Sequence, residues 1–176
     1  GTSSDLFLAK PDPVEQISVA VKVPRLMSTN KGLKRLSREL LMMELASHPN
    51  VIRGIRVGVL ANYRPFLMME HIPGIRLTEF LKRFEYRIEQ VFDVLTQISV
   101  TIGDLHRRGI AHCDLNPDNI IVTNQPPGFH PVIMSQYVWY GRDMKAFDGS
   151  VASALLSMYI YIYLLIHSNQ YMHTLY

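Results

Sequence analysis

Residues 88–108, IEQVFDVLTQISVTIGDLHRR, place Val91, Val94, Leu95, Ile98, Ile102 and Leu105 on one stripe of a long helix. A stripe that wide has to be buried, so the helix demands a partner layer. Gly109 follows at the place where a left-handed residue ends a helix. Then come the polar stretch HCDLNPDN and the β-branched run IIV. A long helix, a turn with Pro117 at its middle and a buried strand follow one another without a break. That order puts Asp114 and Asn119 at the same edge of a sheet, held by a core on both sides.

The rest of the chain supplies the other layer. Residues 6–9 and 17–23 read as short strands, with Pro11 and Pro13 breaking the chain between them. Residues 33–47 read as a helix, with Leu33, Leu36, Leu40 and Met43 at three- and four-residue steps. His48-Pro49-Asn50 stops it, because proline restricts the residue before it. Residues 51–60 and 65–72 read as strands joined by the turn ANYR, and Pro73-Gly74 ends the second. A short helix is expected over 78–84, a loop over 123–130 and a hairpin strand over 131–134. The expected fold is α+β: a small sheet with one helix, joined at Pro73-Gly74 to a helical part.

Composition narrows the classes of partner. The chain has 176 residues, 48% hydrophobic and 19% charged, enough to bury a core. Its net charge of +3 and the lack of a basic stripe exclude nucleic acid as the expected partner. One cysteine, Cys113, excludes a disulfide framework, and no signal peptide is read at the start, so a cytoplasmic chain is expected. Residues 149–176 hold no Asp, Glu, Lys or Arg. Their apolar run, 151–166, has three readings: a membrane span, a buried helix standing in for a central helix, or foreign sequence. The third is favoured, because the pattern of the preceding residues stops before it.

Lys22 is the second chemical signal. A lysine in the apolar run VAVKV costs free energy unless it is paired or reaches solvent. It is either an edge-strand lysine reaching outward or a phosphate-facing lysine held by a carboxylate. Glu39, in mid-helix, is the candidate partner, and Glu44 is the rival about a turn later. Asp114 and Asn119 divide in the same way. They are turn residues capping their own backbone, or a proton acceptor and a carbonyl ligand for Mg²⁺.

Taken in order, these stretches resemble a eukaryotic-type protein kinase over residues 1–137. VAVK matches the strand of the nucleotide-binding lysine, with Ala20 and Lys22, and Glu39 before HPNV matches the helix glutamate. FLMMEHIPG matches the strand and hinge, with Met69 at the gatekeeper place and residues 70–72, Glu70 and Ile72 among them, as hinge. HCDLNPDN matches the catalytic loop, and its Pro117 is similar to serine/threonine kinases. Ile121 matches the floor of the adenine pocket, Leu6 its cap, and Gly1 the second glycine of a phosphate-covering loop. The resemblance implies a bilobal fold, with an N-lobe at 1–72, a hinge at about 70–74 and a partial helical C-lobe at 75–137, incomplete at both ends. Residues 138–176 are left as a divergent apolar tail. It also implies ATP and Mg²⁺ as cofactors and a protein substrate or partner kinase. Lys22 holds phosphates, Glu39 orients Lys22, Asp114 is the base and Asn119 holds metal.

The departures matter equally. Ser4 stands in the place of the third glycine and Cys113 in the place of the arginine before the base. Asn116 occupies the catalytic position where the family carries a lysine on the transferring phosphoryl group. Ser135-Gln136-Tyr137 replaces Asp-Phe-Gly, which removes a carboxylate from the metal site. No Ala-Pro-Glu follows. The expectation is therefore a weak or inactive kinase domain. The rivals are a pseudokinase acting as a binding module and a small-molecule kinase of the aminoglycoside-phosphotransferase type. An incomplete C-lobe is also expected to expose apolar faces of helix 88–108.

Overall fold

The computed structural model describes residues 4–10, 18–25, 28–83, 87–112, 114–126, 128–134 and 138–140. Gly1, Cys113, Ser135-Gln136-Tyr137 and the apolar run 151–166 lie outside them.

The first layer is an antiparallel sheet built from β1 (Ser4–Ala9), β2 (Val19–Pro24), β3 (Gly54–Val59) and β4 (Pro65–Glu70), in the order β1-β2-β4-β3. Its two faces bury different residues, because side chains alternate along a strand. Val19, Val23, Phe66 and Met68 make a small cluster on one face. Ala20, Leu67 and Met69 join Leu36 and Met43 of helix α1 (Thr29–Leu45) on the other. Helix α1 begins four residues earlier than its apolar period requires. Gly32, a poor helix former by propensity, lies against the ring of Pro65. A Cβ there would sit 2.3 Å from Pro65 Cγ, so the missing side chain is what lets the helix approach the sheet. It also ends at Leu45, two residues before the expected stop. The flanking strands are shorter than expected too: β3 starts at Gly54, and β4 ends at Glu70.

The second layer centres on α3 (Ile88–Arg107), which buries Val94, Ile98, Ile102 and Leu105 against Leu77, Phe80, Ile120, Val122 and Ile133. Expectation and structure agree on its stripe. Gly109, at φ 74°, takes the left-handed conformation after the helix, as a C-terminal cap requires. The outward side of α3 exposes Ile88, Phe92 and Val100.

Around α3 the structure departs from the sequence reading in several places. The expected loop over 123–130 is strand: β7 (Ile120–Gln125) and β8 (Gly128–Ile133) pair through Gln125↔Gly128. Pro126 and Gly128 had marked a long break, but here they close a tight hairpin. Pro131 is tolerated because β8 is the edge of the sheet β5-β7-β8. The short helix α2 covers only Leu77–Phe80, preceded by the two-residue strand β5 (Ile75–Arg76). Two three-residue strands, β6 (Ile110–His112) and β9 (Val138–Tyr140), pair with each other. Segments that short carry no periodicity for a sequence to display.

Among the described residues Val132 and Met134 pack on the first layer's core, and two stretches of chain also join the layers. One is the stretch 71–74. The other is the link after α1, where Ala46 and Val51 enter the α3 core and Val51 bridges Ile133. Among the described residues no helix is long and apolar enough to cross a membrane.

Candidate active site

Lys22 and Glu39 are brought together. Lys22 Nζ lies 2.6 Å from Glu39 Oε1, with only 15% and 5% of the two side chains exposed. The outward-reaching reading of Lys22 is thereby replaced by a pair with a buried carboxylate. Glu44, the rival carboxylate, is exposed on α1. Burial pushes the Glu39 carboxyl above its ordinary pKa, with the Lys22 charge pulling the other way. Desolvation therefore outweighs a close cation. Glu39 Oε2 is buried and makes no hydrogen bond among the described residues.

The sheet face around this pair is apolar. In register, Leu6 stands opposite Lys22, and Leu8 opposite Ala20. Residues directly opposite one another share a face. Leu6 is 62% exposed on that face, whereas Ala20 and Met69, which are also in register, are buried. Ile72 packs on the same cluster, as does Met134 after β8. Glu70 turns its side chain back, Oε1 accepting from the Arg53 N–H at 2.7 Å. Ile121, half-buried on β7, lies against the hinge. A Cβ on Gly74 would fall 2.7 Å from Ile121 Cγ2 and 2.5 Å from the Val122 carbonyl oxygen. Leu6, Ala20 and Lys22 thus lie on one sheet face, and Ile121 lies beside Gly74.

The polar loop is held by its own side chains. Asn119, buried, donates from Nδ2 to the Asp114 carbonyl at 2.8 Å and to its carboxylate at 2.9 Å. Asn116 starts the 3₁₀ turn Pro117–Asn119, its Oδ1 accepting from the N–H groups of Asp118 and Asn119. Its Nδ2 donates to the Asp114 carbonyl and carboxylate, each at 3.2 Å. Both ends of the Asn116 amide therefore serve the loop. Asp118 accepts from Thr78 Oγ1 at 2.8 Å, tying the turn to α2.

His112 is a residue that the sequence reading passed over. It is buried, and its Nδ1 accepts from the Asp114 N–H at 3.3 Å. Nε2 then carries the hydrogen and donates to the Met134 carbonyl at 3.2 Å. Burial lowers its pKa below the ordinary histidine value, opposed by the Met134 carbonyl and Asp114. Its position two residues before Asp114, after two apolar residues, was the available signal.

Comparisons with known proteins show the family. The family described as protein kinase domain matches residues 1–130. CBL-interacting protein kinase 16 of Oryza sativa subsp. japonica is 34% identical over 111 residues, 61% of this chain and 24% of that protein. Inhibitor of nuclear factor kappa-B kinase subunit alpha of Gallus gallus is 33% identical over 115 residues, 61% of this chain and 15% of that protein. Serine/threonine-protein kinase pkn3 of Myxococcus xanthus is 29% identical over 126 residues, 69% of this chain and 23% of that protein. The chain belongs to the protein kinase domain family. It spans about a quarter or less of the length of these relatives.

Proposed function

We propose that this domain binds ATP in the opening between the two layers, and that its transfer of the γ-phosphoryl group to a protein serine or threonine hydroxyl is weak or absent. The observation that carries the reading is the Lys22–Glu39 pair at 2.6 Å, a half-buried lysine on a buried carboxylate. A half-buried ammonium on an apolar sheet face, steered by a carboxylate, is suited to phosphate oxygens. Leu6 and Ala20 cover the adenine, Ile121 forms its floor, and the backbone of residues 70–72 offers its hydrogen bonds, with Met69 behind. Asp114 accepts the hydroxyl proton, and its carboxylate is already oriented by Asn116 and Asn119.

The weak side of the site is the metal. Among the described residues no group of three or more His, Cys, Asp and Glu side chains can hold a metal ion. The Asn119 amide oxygen is a proper ligand type for Mg²⁺, but its partner place in the sequence is Ser135 rather than a carboxylate. One neutral amide and a hydroxyl make a poor set for a hard dication. Asn116, with both amide ends in the loop, brings no charge to a phosphoryl group. These two features favour a second role, a pseudokinase that holds a partner kinase or scaffold.

A thermal-shift series with ATP, with and without Mg²⁺, tests the reading. A ligand that binds only the folded state raises the melting temperature by mass action. ATP is expected to raise it and Mg²⁺ to add little. No shift from ATP in a folded sample would refute nucleotide binding. Ordinary kinase turnover with Mg²⁺-ATP would refute the loss of transfer.

A further inference from the structure

Arg108 follows the last residue of α3 and precedes Gly109 and β6, the strand that leads into the loop of Asp114. Its guanidinium reaches across the joint between the layers to the end of α1. There it donates to the Ser47 carbonyl at 3.0 Å and to the Leu45 carbonyl. Helix α1 needs such a donor. The last carbonyls of a helix have no partner within it, and the last turn of α1 contains no basic residue. Glu44 adds a negative charge at the negative end of the helix dipole. The capping cation is thus supplied from another helix, 63 residues away from Leu45 in sequence.

The neighbouring ties across this joint do not reach the helix itself. They join the Ile52 N–H to the Ile133 carbonyl at 3.0 Å, the Ile133 N–H to the Asn50 carbonyl at 2.7 Å, and Asn50 Nδ2 to the Pro131 carbonyl at 2.7 Å. Those bonds hold the link after α1. Arg108 alone among them grips the end of the helix with a charged group. Glu39 lies less than two turns from that end, on a rigid rod.

We infer that Arg108 is a positioning residue: by capping α1 from α3 it sets the place of Glu39, and so of Lys22, relative to the loop of Asp114. The consequence for nucleotide rests on the reading of Lys22 as the phosphate-holding lysine. The cap itself does not.

The test uses the full chain and its R108A, R108Q and R108K variants, read by hydrogen exchange of the α1 amides and by ATP affinity. R108A is expected to speed exchange in the last turns of α1 while leaving β7 and β8 unchanged. It is expected to weaken ATP binding about fivefold, the size of a helix-end charge contact. R108K, which keeps the charge, is expected to restore most of both. Unchanged exchange in α1, or exchange that rises equally in α1, β7 and β8, overturns the inference, since the latter marks only a loss of stability. If R108A does not fold, R108Q against R108K makes the same comparison. If the wild type binds no ATP, the nucleotide reading fails, and the exchange data still decide the cap.

Discussion

Asn119 reaches back five residues to hold Asp114 at two points, the carbonyl at 2.8 Å and the carboxylate at 2.9 Å. The proposed metal ligand is therefore also the part that orients the proposed base. Replacing it with alanine removes both bonds from a buried place and leaves the loop without its inner tie. Asn119→Ala is expected to cost about 2 kcal/mol of stability, read as a lower urea midpoint at unchanged slope. An unchanged midpoint would show that the loop holds without it.

Lys22→Met leaves Glu39 buried without its cation. Removing one partner of a buried pair costs roughly 3–5 kcal/mol when the other charge stays. Glu39 escapes part of this by taking a proton. Its folded pKa is already raised by burial, and the loss of Lys22 removes most of the opposing pull, leaving that of Arg35. A raised carboxyl contributes stability that is complete below its unfolded value of about 4.5 and is lost as pH rises through the folded value. The deficit of Lys22→Met relative to wild type is thus expected to be smaller at pH 5 than at pH 7.5 in urea denaturation. An equal deficit at both values would mean that Glu39 does not titrate with folding.

His112 bends the pH curve the other way. Its folded pKa is lowered from 6.5, so below that value the unfolded chain takes up a proton that the folded chain refuses. Its contribution is present above about pH 6.5 and is lost as pH falls through the folded value. Protonation would also place a hydrogen on Nδ1, where the Asp114 N–H now donates. The melting temperature of the wild type is expected to fall between pH 7 and pH 5 more steeply than that of His112→Gln. Parallel curves for the two proteins would count against a neutral, buried His112.

Two glycines make a matched pair. A Cβ on Gly74 meets the Val122 carbonyl oxygen at 2.5 Å, and backbone cannot step aside as a side chain can. A Cβ on Gly128 meets nothing within 4 Å. Gly74→Ala is expected to cost about 1–3 kcal/mol and to weaken any nucleotide stabilisation, because the hinge must lift from Ile121. Gly128→Ala is expected to be nearly neutral. Calorimetry of both variants checks this, and equal melting temperatures would remove the hinge contact from the account.

Much of the arrangement was legible in local sequence. The α3 stripe, the Gly109 cap and the paired loop residues follow from helix period, backbone conformation and short side-chain reach, all of which act within a few residues. The resemblance to a kinase, read from VAVK, HPNV and HCDLNPDN in order, identified the family that the comparisons then showed. The 123–130 stretch misled because Pro and Gly mark a turn without stating its length, and the pairing of Gln125 with Gly128 depends on the partner strand. The early start of α1 misled because Gly32 answers to Pro65, 33 positions away in the sequence.

By itself, then, the sequence determined the two long helices, the strands of the first sheet and the chemical types: a lysine in an apolar strand, a carboxylate in a helix, an aspartate and an asparagine in one turn. Only the tertiary structure decided which partner each one found. It chose Glu39 over Glu44 for Lys22, engaged both ends of the Asn116 amide in its own loop, and sent Arg108 to the end of a distant helix. The physical reason is the same in each case. A buried polar group must be satisfied by whatever the packing brings within about 3 Å, and packing is set by apolar surfaces far apart in the chain.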